Sequence, residues 1–287
     1  MKRIELRHCF KASPHRLWEM IVDVDHYRYW TTAFSQGSTF IGDWSQGSKI
    51  RFVMDDETGN FSGMISEVVV NDWPTIISVK HIGLVMNGIE DTESEQAKFW
   101  TPAYENYTLR PEGLDQCWFI MTQDIPESVE AEFIENWKNA FELIEERLKS
   151  IELTTYPITI QSTSTLSSEQ LWERLTQSEL VKKWNFASED WHCPKAENDL
   201  RIGGEFHYEM AAKDESMSFD FWGIYTHIEK NQSLHFTLGD HRKVSIELHD
   251  KPYGRLVIER FEPEQENSFH LQRLGWQAIL NNLTKVQ

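Results

Sequence analysis

The side chains from which this chain could build a reaction are its 11 histidines, three cysteines and 46 carboxylates, and their spacing builds none. His8-Cys9 and His192-Cys193 each set two soft ligands side by side. Adjacent ligands with no second pair and no CxxC do not make a zinc site. His81 and His241 occupy matched positions near strand ends, which reads as a shared structural or rim role, because no nucleophile or orienting carboxylate can be named beside either. His207 sits at opposite parity to the aromatics on its strand and is expected to face outward. There is no Gly-x-Ser-x-Gly, no HExxH and no phosphate loop; Gly203-Gly204 is a turn before a strand, not a nucleotide signature. The sequence therefore names no catalytic residue, no metal and no cofactor.

A pattern does emerge among the apolar side chains. Alternation puts Ile50, Phe52 and Met54 on one face of a strand, and Phe206, Tyr208 and Met210 on one face of another. Trp137 and Phe141, and likewise Trp276 and Leu280, share the apolar stripe of a long helix. A curved sheet under such a helix can enclose a cavity, and the chain's 12 tryptophans are suited to line one. The residues expected to touch an apolar ligand are thus Phe52, Met54, Trp137, Phe141, Phe206, Tyr208, Met210, Trp276 and Leu280. The alternative for each set is a filled core with no ligand.

These residues come in two sets because the chain repeats itself. Leu17-Trp18-Glu19 and Trp30 recur as Leu171-Trp172-Glu173 and Trp184, at one shift of 154 (Leu17 to Leu171, Trp30 to Trp184). Gly47, Phe52 and Met54 answer Gly203, Tyr208 and Met210, and Trp137 answers Trp276. A repeat this long is two copies of a domain rather than a solenoid. The shift later falls, so the first copy holds an extra segment, assigned to 83–103. Within it Phe99 and Trp100 stand beside Glu90, Asp91, Glu93 and Glu95, as in a solvated excursion or a flap with an apolar underside. Each copy opens with a strand, passes Ser13-Pro14 or Ser167-Ser168 as a helix N-cap, runs through alternating strands and closes with a long amphipathic helix. The predicted fold class is α+β: two tandem domains, 1–150 and 154–287, each a curved antiparallel β-sheet wrapped around a long C-terminal helix. The connection over 149–155 is too short to be a free linker.

A formal charge of −18 repels phosphate, which argues against nucleic acid and anionic membrane as partners. No stretch approaches the roughly 20 apolar residues of a spanning helix, and no signal region follows the start, so a cytoplasmic location is expected.

Taken in order, the motifs resemble those of the activator of heat-shock-protein-90 ATPase homologues, within the START-like or SRPBCC superfamily. The second copy carries most of the likeness: Leu171-Trp172-Glu173-x-Leu175-Thr176 with Trp184, then Ile202-Gly203-Gly204-x-Phe206, Phe221-Trp222-Gly223-x-Tyr225, and Gly275-Trp276-x-x-Ile279-Leu280-x-x-Leu283. In the more diverged first copy, Gln46-Gly47-Ser48 stands for the double glycine and Asn136-Trp137 for Gly-Trp. The resemblance implies a helix-grip fold with a hydrophobic cavity between sheet and helix, used across the superfamily to hold lipids, sterols or polyketides. It does not imply one reaction, because superfamily members include binders, cyclases and chaperone regulators.

Three functions are carried forward. The first is non-catalytic binding of an apolar small molecule; the second is protein interaction, with a chaperone as possible partner; the third is a cyclase or hydrolase acting on an apolar substrate. The cavity interior separates them. An open apolar pocket favours the first, filled cores with an exposed apolar patch the second, and a buried carboxylate or histidine with a shifted pKa the third.

Overall fold

The computed structural model describes residues 1–55, 61–113, 115–151 and 155–285. The expected strand start at Asn60 and part of the expected connection, residues 152–154, lie outside the described residues. The chain divides into two compact units, Met1–Leu153 and Thr154–Gln287.

Unit 1 runs β1 (Lys2–Phe10), α1 (Pro14–Val22), α2 (Val24–Trp30), β2 (Ser38–Ile41), β3 (Lys49–Asp55), β4 (Phe61–Asp72), β5 (Ile76–Met86), β6 (Ile89–Asp91), α3 (Glu95–Trp100), β7 (Ala103–Pro111), β8 (Cys117–Ile125) and α4 (Glu130–Ser150). Its sheet has the order β1-β8-β7-β5-β4-β3-β2, with β6 paired on the extended end of β5. Unit 2 runs β9 (Ile158–Ser164), α5 (Ser168–Thr176), α6 (Ser178–Val181), β10 (Trp191–Asn198), β11 (Glu205–Ala212), β12 (Ser218–Glu229), β13 (Ser233–Leu238), β14 (Lys243–Lys251), β15 (Gly254–Phe261) and α7 (Phe269–Thr284). Its order, β10-β11-β12-β13-β14-β15-β9, is the same without the β6 insertion. All described pairings are antiparallel. Each unit is a helix-grip fold, with a curled sheet closing on its last helix.

The repeated residues explain why both copies keep this shape. Ser13 and Ser167 cap α1 and α5 by accepting from Arg16 N and Gln170 N, and the Gln170 side chain returns the bond to complete a capping box. The Trp30 indole donates to Met20 O at 2.7 Å, and the Trp184 indole to Arg174 O at 2.8 Å. One tryptophan thereby satisfies a carbonyl near the end of each first helix while its ring enters the core. Gly47 and Gly203 both adopt positive φ, and their amides donate to Val68 O and Tyr225 O. That turn sets the register of β3 on β4 and of β11 on β12, and through it which side chains face inward.

In unit 1 the segment 83–103 extends β5, turns back as β6 and forms α3, capped by Ser94. Phe99 is 53% exposed, whereas the Trp100 ring lies 6.4 Å from that of Phe133 on α4. Only Trp100 of the expected apolar underside is turned to protein. The expected common role of His81 and His241 does not hold. His81 is buried within β5 and bonded to Ser66 at 2.7 Å, but His241 sits exposed at positive φ in the β13–β14 turn. Matching by sequence order misses this because the two strands end at different points relative to the histidine.

Candidate functional site

The site is built where the inner face of the unit 2 sheet meets α7. Phe206, Tyr208 and Met210 alternate inward from β11, Phe221 and Tyr225 from β12, and Phe236 from β13; Trp276, Leu280 and Leu283 come down from α7. Between them lies a cavity of about 390 Å³. That is within the size range of small-molecule sites. All five unit 2 residues picked from the sequence, Phe206, Tyr208, Met210, Trp276 and Leu280, line it. Phe206 can lie flat in the wall because its neighbour across the sheet is Gly223: a Cβ there would stand 2.9 Å from the phenyl ring. Phe219 and Leu271 also line the cavity and are 51% and 55% exposed, so the mouth opens between the start of β12 and the first turn of α7.

Polar groups are few on this wall. The Tyr208 and Tyr225 hydroxyls lie 3.5 Å apart, and burial holds both phenols protonated, with Tyr225 pushed up to about 12. Asn185 spends an amide hydrogen on the Met210 sulfur at 3.4 Å. Gln272 braces the segment before α7, accepting from Glu264 N and donating to Glu264 O and Asn267 O. Arg242 bonds Asp240 and Glu262 O.

Glu259 is the residue that sequence reasoning missed. It lines the cavity from β15, is 7% exposed, and has no side-chain hydrogen bond or ion pair among the described residues. Burial pushes its carboxyl up to about 8, so it is mostly protonated at neutral pH. The signal was present in the parity of Val257, Glu259 and Phe261. It was obscured because Leu256 and Ile258 make the other face of the strand equally apolar.

In unit 1 the corresponding residues stand in aromatic packing. Trp137 is 1% exposed and meets the rings of Trp30, Phe34, Tyr107, Phe119 and Phe141 at 5.2–6.5 Å. Phe141 also packs on His8 and Phe10. Phe52 packs on Tyr27, Trp44 and His81, and the Met54 sulfur accepts from Ser35 at 2.7 Å. A polar chain runs behind these rings: Glu105 accepts from Tyr107 and Gln123 and faces His81 at 3.3 Å, while Gln123 accepts from the Trp137 indole at 3.0 Å.

His207 faces the outer side of the unit 2 sheet, 2.7 Å from Asp220 and stacked on Trp222; the Asp220 hydrogen bond raises its pKa. Among the described residues no three His, Cys, Asp or Glu side chains are grouped to hold a metal ion, and no helix is long and apolar enough to cross a membrane. Cys117 and Cys193 are buried thiols pushed up to about 11, in their unreactive form.

Residues 165–287 match the family model described as Activator of Hsp90 ATPase homolog 1-like protein. Among solved structures, the chain is 36% identical to an AHSA1-like protein from Aeromonas hydrophila, over 45% of this chain and 89% of that one, with a TM-score of 0.43. It is 41% identical to a protein from Cytophaga hutchinsonii over the same shares, with a TM-score of 0.41. Over the whole of both chains it also aligns with the di-domain ARO/CYC BexL from the BE-7585A biosynthetic pathway, at 8% identity and a TM-score of 0.43. No curated protein matches. By the family match and the identity to the Aeromonas protein, the chain belongs, through its second unit, to the activator of Hsp90 ATPase homolog 1-like family.

Proposed function

We propose that this protein binds an apolar small molecule in the cavity of unit 2, between the sheet and α7, and that unit 1 acts as its folded companion. The observation that carries this is an open cavity of about 390 Å³ walled by Phe206, Phe221, Phe236, Trp276 and their neighbours. Covering 200 Å² of ligand surface there would contribute about 5 kcal/mol at 25 cal/mol per Å². That corresponds to a Kd of about 0.2 mM before the costs of association, so this much apolar burial alone gives submillimolar binding at best.

Catalysis has one observation in its favour, the buried carboxyl of Glu259. An acid–base reaction also needs a group to orient that carboxyl or to share its proton, and none bonds to it among the described residues. Binding is therefore the better reading. A chaperone or other protein partner has no comparable support.

The test uses Gly275, which lies on α7 at the cavity wall with nothing within 4 Å of an added Cβ. Gly275→Leu is expected to lower the affinity for an environment-sensitive apolar dye about tenfold while leaving the protein folded, and native mass spectrometry of the protein as purified should find a retained apolar molecule. Dye affinity unchanged in Gly275→Leu, with no co-purified molecule, would reject the cavity as the site.

A further inference from the structure

An apolar cavity needs no carboxyl, and this one has a single buried carboxyl on its wall, Glu259, with no hydrogen-bond partner among the described residues. The strand pairings show how unusual its position is. Leu6 pairs with Met121 in unit 1, and its counterpart Ile160 pairs with Glu259 in unit 2. Where one copy puts a buried thioether, the other puts a carboxyl. A buried polar group without a partner costs on the order of 1–3 kcal/mol, so its remaining hydrogen-bonding capacity is directed to what fills the cavity.

The geometry points to Glu259 as a specificity-determining residue that donates a hydrogen bond from its protonated carboxyl to a neutral oxygen, such as a ketone, of an otherwise apolar ligand in the unit 2 cavity. This rests on the cavity reading above and adds the ligand's chemistry to it. A neutral acceptor fits better than a cation. The surroundings hold the carboxyl protonated, and a neutral ligand oxygen would complete it without creating a charge in an apolar site.

The groups facing Glu259 leave this proton under burial's control. β14 turns Val244, Ile246 and Leu248 inward, and β9 contains no ionisable residue. On the cavity wall stand Tyr208 and Tyr225, both protonated, together with Arg242 and Glu264, and α7 adds His270 and Arg273. Arg242 is engaged by Asp240, and Arg273 donates to Thr159 O at 2.6 Å. None of these charges contributes to the rise at Glu259, which comes from burial alone. The preference for a ketone should accordingly be full below about pH 7 and be lost as pH rises through about 8.

Three matched probes test this by quenching of tryptophan fluorescence: 2-acetylnaphthalene, its oxygen-free isostere 2-isopropenylnaphthalene, and 2-(aminomethyl)naphthalene. In the intact protein at pH 6 the ketone should bind roughly fivefold to tenfold more tightly than the isostere, the worth of one neutral hydrogen bond, and the preference should vanish by pH 9.5. Glu259→Leu should bind ketone and isostere alike at both pH values. Glu259→Gln, which keeps a donor, should retain the preference at both. Equal binding of ketone and isostere by the wild-type protein at pH 6 would overturn the assignment and leave the cavity reading standing. So would a ketone preference that survives in Glu259→Leu, or a preference for the amine that grows towards pH 8. Failure of all three probes to bind would overturn both readings.

Discussion

Trp137 and Trp276 occupy the same place in two copies of one fold and have opposite surroundings. Trp137 is closed in by the rings of Trp30, Phe34, Tyr107, Phe119 and Phe141, and its indole is bonded to Gln123. Trp276 stacks on Phe261 at 4.1 Å, meets Phe221 edge-on, and lines an open space. Strand pairing makes Phe261 the counterpart of Gln123, since Ile4 and Ile158 are their partners. Two carboxylates differ in the same way: half-buried Glu105 has Tyr107, Gln123 and His81 around it, whereas buried Glu259 has no side-chain partner among the described residues. The scaffold does not decide how tightly the tryptophan of the closing helix is enclosed. A handful of side chains does.

Removing each carboxylate is expected to have the largest effect. A carboxyl raised to about 8 by burial lends full stability below the ordinary carboxyl range and loses it as pH rises through about 8. Glu259→Leu should therefore gain stability over wild type as pH rises from 4 to 9, by on the order of 5 kcal/mol at the alkaline end. Glu105→Leu should instead lose about 3 kcal/mol, because it strands Tyr107 and Gln123. Urea unfolding at a series of pH values, followed by hydrogen exchange in peptides of each unit, would read both. Equal signs for the two substitutions would dissolve the contrast.

A second pair of substitutions asks how full each core is. Trp137→Ala should destabilise unit 1 by about 4 kcal/mol, the cost of a large void in a packed core, and Trp276→Ala should destabilise unit 2 by about 2 kcal/mol, because that ring already borders open space. Unit-resolved hydrogen exchange again checks it. The smallest effect is expected at Gly223. There the added methyl of Gly223→Ala would press on Thr237 O of β13 at 2.7 Å and on the Phe206 ring at 2.9 Å, and weaken apolar dye binding about threefold to fivefold, measured by fluorescence titration.

Much of this was legible in the sequence because it depends on periodicity and caps. Pro14–Val22 and Ser168–Thr176 begin at Ser caps, and the inward triplet Phe206, Tyr208 and Met210 follows from strict alternation on one half-buried strand. The edge strands β2 and β10 were not legible. The first is four residues long, and the second, Trp191–Asn198, contains Pro194 and charged residues with no apolar alternation, as edges often do. Glu259 was hidden for a different reason. Its strand is apolar on both faces, so parity alone could not say which face met the cavity. The enclosure of Trp137 was hidden as well, since Phe34, Tyr107 and Phe119 reach it from separate parts of the chain.

The most direct test of an open unit 2 against a packed unit 1 is hydrogen–deuterium exchange of the whole protein with and without saturating 2-isopropenylnaphthalene. Slowed exchange is expected in peptides covering Glu205–Leu238 and Phe269–Thr284, with unit 1 unchanged. Protection centred on Lys49–Asp55 and Glu130–Ser150 would contradict it, as would no protection anywhere.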